Sequence, residues 1–262
     1  MLEVLQEAVK AIKEGKNFAF ATIITSKGSA PRHENSKMII FEDGTFKGTI
    51  GGGLFEKQVI EKAIELIKKG KSMVVKFSFG SKNNMLCGGE VEVFIEVYLK
   101  RPELVLVGGG HVSNAIYNFA KFLDFNITVI DDREEWVSED RFPEANRIID
   151  NIPKALKNYM TDENTFIVIA TRGHVFDKQA LEVALGKKAQ YIGMLGSKDK
   201  VRTILQGLRE KGFKEEELKR VYSPIGLDLG GESPEEIAVS ILAEILKVKN
   251  KRSGESLRIS VF

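Results

Sequence analysis

The sequence predicts an α/β protein: an N-terminal α+β domain over residues 1–100, then a Rossmann-like parallel-sheet domain over residues 101–250, with a tail over residues 251–262. Three observations carry this. The apolar run 104–107 enters Gly108-Gly109-Gly110-His111-Val112-Ser113, a strand, a glycine-rich turn and a helix start that present backbone N–H groups to a phosphate. Roughly twenty residues on, Ile127-Thr128-Val129-Ile130 ends in Asp131-Asp132, where a dinucleotide fold holds a ribose hydroxyl. After Arg101-Pro102, strands and helices alternate, which requires right-handed crossovers and a parallel sheet covered on both faces.

Residues 1–16 set Leu5, Val9 and Ile12 among charges, an amphipathic helix with no secretory apolar core. A β-branched strand over 18–24 precedes a loop of small and polar residues over 25–32. Asp43-Gly44 tolerates positive φ and joins strands 37–41 and 45–50 as a hairpin. Gly51-Gly52-Gly53 leads into a helix over 55–69 that Gly70 terminates. Strands 73–79 and 91–98 follow, the second with Val91, Val93, Ile95 and Val97 on one face. In the second domain, strands at 104–107, 127–130, 147–149, 165–170 and 190–194 are interleaved with helices at 111–123, 177–185 and 197–211. Ser233 caps a last helix, with Pro234 in its first turn and Glu236 closing a capping box. Residues 250–255 read as flexible. Residues 257–262 have strand character, and an exposed edge of that kind finds a partner, so a homodimer is expected, the alternative being a disordered tail on a monomer.

A net charge of +2, from 39 basic and 37 acidic side chains, argues against a dedicated nucleic-acid or membrane-surface protein. No apolar run reaches the length that spans a bilayer. The single cysteine, Cys87, excludes an internal disulfide and fits a reducing, cytoplasmic compartment. It stands between Leu86 and Gly88-Gly89, where backbone N–H groups lower a thiol pKa, and the bland alternative is a small buried hydrophobe. Gly51-Gly52-Gly53 is either a second anion-binding turn or only a tight turn. His111 and His174 follow strand ends at the edge where parallel sheets bind ligands; His33 lies in a loop. No spacing among these residues matches a zinc site. Catalysis has only two candidates, Cys87 and His174.

Beyond these single features, the chain carries a set of distinctive stretches. In the first half they are Gly28-Ser29-Ala30-Pro31-Arg32, Asp43-Gly44, Gly48-Thr49-Ile50-Gly51-Gly52-Gly53 with Glu56, and Cys87-Gly88-Gly89. In the second they are the Gly108–Val112 turn, Asp131-Asp132-Arg133, Thr171-Arg172-Gly173-His174, Gly193-Met194-Leu195-Gly196-Ser197-Lys198, and the long run from Ser223 to Glu244. Taken together these stretches resemble the XdhC/CoxI family of accessory proteins for molybdenum hydroxylases, with Leu54 standing where many members carry a cysteine. The resemblance implies a chaperone rather than a catalyst. Such a chaperone binds molybdenum cofactor, protects it during sulfuration by a cysteine desulfurase, and delivers it to a client such as xanthine dehydrogenase. The implied cofactor contacts are Gly51, Gly52, Gly53, Gly108, Gly109, Gly110, His111, Asp131, Asp132, Arg133, Gly173, Gly196 and Ser197, with Cys87 toward molybdenum or sulfur. The alternative is an NAD(P)-dependent oxidoreductase or a nucleotide-binding regulatory protein, in which Asp131 favours NAD over NADP.

Overall fold

A computed structural model describes residues 1–28, 35–79 and 89–259, so His33 and Cys87 lie outside the described residues. The chain divides into two compact units, Met1–Lys100 and Arg101–Phe262.

In the first unit, α1 (Leu2–Lys13) precedes β1 (Phe18–Gly28), β2 (Lys37–Phe41), β3 (Phe46–Gly48), α2 (Gly53–Lys69), β4 (Met73–Phe79) and β5 (Gly89–Tyr98). The strands form one sheet in the order β3-β2-β1-β5-β4, with every pairing antiparallel. Strand periodicity sorts its faces. Ala19, Ala21, Ile23, Val91, Val93 and Ile95 meet Phe55, Val59, Ala63, Leu66 and Ile67 of α2, whereas Phe18 and Ile39 face α1. The α1 stripe differs from the expected one. Val4, Ala8 and Ala11 are buried, and Leu5, Val9 and Ile12 are exposed. Both sets have helical spacing. The small alanines win because they let the helix press onto the sheet, where Val4 fills the space beside Gly48. β1 runs past residue 24 to Gly28, because after a bulge Thr25–Gly28 continue to pair with β5.

The second unit contains β6 (Glu103–Val107), α3 (His111–Ala120), β7 (Asn126–Asp131), β8 (Asn146–Ile149), α4 (Ile152–Asn158), β9 (Thr165–Ile169) and α5 (His174–Leu185). It continues with β10 (Tyr191–Met194), α6 (Lys198–Glu210), α7 (Glu215–Leu218), β11 (Val221–Tyr222) and α8 (Pro234–Lys249). All six strands are parallel, in the order β8-β7-β6-β9-β10-β11. This is the doubly wound order whose switch point, between β6 and β9, opens a crevice at the carboxyl ends of the strands. One core packs α3 and α8 on the sheet, and the other packs α4, α5 and α6 on its opposite face.

Sequence reading missed α4, α7 and β11, which are short and carry little periodicity. Asn151 does cap α4, accepting from Lys154 N–H at 3.1 Å. α5 starts three residues early because Asp177 N–H already bonds Gly173 O. The run from 223 to 244 folds a loop onto α8: buried Glu244 accepts from Tyr191 Oη (2.5 Å) and from Gly226 N–H (3.1 Å). Residues 251–259 form no strand, and Leu257 and Ile259 are exposed.

Candidate functional site

At the carboxyl edge of β6, three successive glycines do three different things. Gly108 has φ +105°, and a Cβ there would lie 2.3 Å from Ala170 O, so only glycine lets the turn press on the end of β9. A Cβ on Gly109 would meet Trp136 O at 2.3 Å. Gly110 has φ −64°, and a Cβ there would meet nothing within 4 Å. The third glycine therefore faces open space at the start of α3. Neither Gly110, which precedes α3, nor Gly173, which precedes α5, is replaced by a capping side chain. α4, α6 and α8, by contrast, start at Asn151, Ser197 and Ser233, each of which accepts a backbone N–H. Two bare helix starts thus flank the switch point. Each has N–H groups without an intrahelical partner and the positive end of a helix dipole, the arrangement that takes a phosphate.

The acidic pair at the end of β7 is engaged within the protein. Asp131 is 1% exposed. Its carboxylate accepts from Gly109 N–H (2.8 Å), Arg133 N–H (3.1 Å), Arg133 Nε (2.9 Å) and Arg133 Nη2 (3.0 Å). Instead of offering itself to a ribose, it brackets the glycine turn. Burial alone pushes its pKa up, but the Arg133 hydrogen bond, the Gly109 N–H and the Arg133 charge outweigh burial and hold it below the usual value. A depressed carboxyl contributes stability that is full above its unfolded pKa of about 4 and is lost as pH falls through the folded value. Asp131→Ala should therefore cost about 3 kcal/mol at neutral pH, with the deficit shrinking below pH ~4 in urea titrations across pH. A deficit independent of pH would contradict this account.

Asp132 forms a two-bond fork with Arg172 from the loop after β9, at 2.6 and 2.9 Å. The guanidinium groups of Arg133 (4.8 Å) and Arg141 (5.0 Å) lie over the Trp136 ring, with His111 edge-on at 5.4 Å. Arg141 Nη2 also donates to Gly109 O at 2.9 Å. Beyond β9, buried Asp177 accepts from Thr171 N–H (3.0 Å) and Thr171 Oγ1 (2.7 Å) and forms an ion pair with Lys200. Lys200 Nζ also donates to Leu195 O at 3.0 Å. Gly196 and Ser197 have local duties here. Gly196 leaves room for the Lys200 stem, and Ser197 caps α6.

In the first unit, Gly51, Gly52 and Gly53 all have positive φ. Glu56 of α2 takes the place expected for a ligand anion: its Oε2 accepts from Thr49 Oγ1 (2.6 Å), Ile50 N–H (3.1 Å) and Gly52 N–H (3.2 Å). The turn carries its own carboxylate.

The second unit thus gathers Gly108, Gly109, Gly110, His111, Asp131, Asp132, Arg133, Gly173, His174, Gly196 and Ser197 at the carboxyl edge of one sheet. Residue-level reading missed Trp136, Arg141, Asp177 and Lys200, and it quoted Arg172 without giving it a role. The one available signal was the single tryptophan, three residues after Arg133. Among the described residues no group of three or more His, Cys, Asp or Glu side chains could hold a metal ion, and no helix is long and apolar enough to cross a membrane.

Comparison with known proteins agrees with this arrangement. Residues 104–245 match a family model described as the XdhC Rossmann domain, and residues 11–78 match one described as the XdhC and CoxI family. The chain is 36% identical over 259 residues to the uncharacterized protein YqeB of Escherichia coli K12, covering 97% of this chain and 47% of YqeB. It therefore spans about half the length of that relative. It is 22% identical over 289 residues to PaoD of the same organism, named a molybdenum cofactor insertion chaperone, covering 97% of this chain and 90% of PaoD. A crystal structure from Bacillus halodurans, titled a xanthine dehydrogenase, superposes with a TM-score of 0.53 at 22% identity, covering 96% of this chain and 97% of that one. That likeness is one of fold.

Proposed function

The chain belongs to the XdhC and CoxI family, and on that premise we propose that it is an accessory protein that binds molybdenum cofactor, assists its sulfuration by a cysteine desulfurase, and passes it to a molybdenum hydroxylase of the xanthine dehydrogenase type. The observation that carries the reading is the pair of uncapped helix starts at the switch point. The pterin of the cofactor ends in a phosphate. The free N–H groups of His111, Val112 and Ser113, beside the open face of Gly110, suit that dianion. Gly173 and His174 offer a second start of the same kind next to it. The name of PaoD and its coverage of nearly the whole chain support the same role. When bound, the cofactor supplies the metal centre that the client enzyme uses. This chain's part is to hold the phosphate and to release it to the client. Cys87, the only thiol of the chain, is the side chain we assign to sulfur handling.

The test is activation of a cofactor-free hydroxylase by the chain loaded with cofactor under anaerobic conditions. Activity should rise in proportion to loaded chain and stay at background with the unloaded chain; background activity in both arms would contradict the proposal. Cys87→Ser should abolish activation at unchanged thermal stability. Full activation by the serine variant would remove the thiol from the chemistry, and a stability loss of about 2 kcal/mol would mark it as packing.

A further inference from the structure

The acids that would meet an adenosine ribose at this crevice are engaged by the chain itself. In a sheet of this strand order a dinucleotide lies across the switch point, with its adenosine ribose on the acid that ends the second strand. That acid is Asp131, whose carboxylate is buried and already accepts four hydrogen bonds from Gly109 and Arg133. Its neighbour Asp132 is forked to Arg172, and the guanidinium of Arg172 lies 4.2 Å from the centre of the Phe176 ring. β7 and β9 are the two neighbours of β6. The bridge from the loop after β7 to the loop after β9 therefore passes over the end of β6, across about 10 Å between the outer strands. The Trp136 carbonyl sits where a side chain on Gly109 would go.

We propose that the Asp132–Arg172 bridge and the Trp136 segment close the adenosine half of this crevice. The site then selects a ligand that ends in one phosphate and refuses adenine dinucleotides. What enters rests on the proposed cofactor binding at Gly110. The exclusion rests on the bridge and the engaged carboxylates alone.

Calorimetric titration of the full chain with NAD, NADH, NADP and NADPH, and separately with molybdenum cofactor released anaerobically from a donor enzyme, tests both parts. The intact chain should give no saturable binding of any of the four dinucleotides at millimolar concentration, and saturable binding of the cofactor. Asp132→Ala/Arg172→Ala, with its fold checked by circular dichroism, should gain about tenfold or more in NAD affinity. Saturable dinucleotide binding by the unaltered chain overturns the inference. A folded double variant that still refuses NAD overturns the assignment of selectivity to the bridge. If the cofactor fails to bind while the dinucleotides are also refused, the proposed function falls and the exclusion stands.

Discussion

Gly108→Ala should destabilise the second unit by about 3 kcal/mol or more, whereas Gly110→Ala, two residues away, should change stability by less than about 1 kcal/mol. The two glycines look alike in sequence and differ in what surrounds them. Gly108 combines φ +105° with a missing Cβ that would overlap Ala170 O at 2.3 Å and approach Thr171 Cα at 3.0 Å. The methyl has only backbone to push, and the end of β9 would have to move with it. Gly110 has an ordinary negative φ and open space around its missing side chain. Its methyl would meet a ligand and nothing else, so the Gly110 variant should keep its fold and lose cofactor affinity. Urea unfolding followed by fluorescence of Trp136, the only tryptophan and a reporter of this unit, measures the difference. Equal costs for the two substitutions would contradict the packing described for the turn.

The second large effect is expected at the buried pair Asp177–Lys200. Asp177 is fully buried, and the Lys200 side chain is 15% exposed. Asp177→Ala leaves that ammonium without its counter-charge and strands the Thr171 N–H, while the Thr171 hydroxyl keeps Gly173 O at 3.2 Å, at an expected cost of about 3–5 kcal/mol. Lys200→Met should cost a similar amount, because it leaves a buried carboxylate with Thr171 as its remaining partner. The double variant should recover a good part of the loss, since a buried pair replaced by apolar groups is often close to neutral. It should not recover all of it, because the Thr171 N–H stays unpaired. A double-mutant cycle in urea reads the coupling. Strictly additive losses would mean that the pair does not act as a unit.

These expectations also mark how far the sequence could be read. The strand–glycine–helix pattern at 104–113, the acid after the second strand and the later strand–helix alternation announce the parallel-sheet fold. Asp43-Gly44 and the Ser233–Glu236 capping box announce their own local structures, and both are found. Each of these signals is local, with its cause within a few residues. What escaped depends on how the folded chain curls back to place its side chains, near or far in sequence. Asp131 was read as open to a ribose, yet its carboxylate is taken by Arg133 and by Gly109, 22 residues away. Arg172 closes on Asp132 across 40 positions, and no periodicity records that. Glu56 was visible as part of a family stretch, but its filling of the Gly51–Gly53 turn depends on how Thr49, Ile50 and Gly52 curl back over α2. The α1 stripe failed for a related reason. Two helical faces were available, and the sheet chose the one that small alanines let it approach.

The central claim is that this chain carries molybdenum cofactor. It is tested most directly by producing the chain anaerobically in cells with and without molybdenum-cofactor synthesis and assaying molybdenum and pterin in the purified protein. Both should accompany the chain in the first case and be missing in the second, with the Gly110→Ala variant retaining less of each at unchanged stability. A chain that carries neither molybdenum nor pterin at any stoichiometry in cells that make the cofactor would contradict the account.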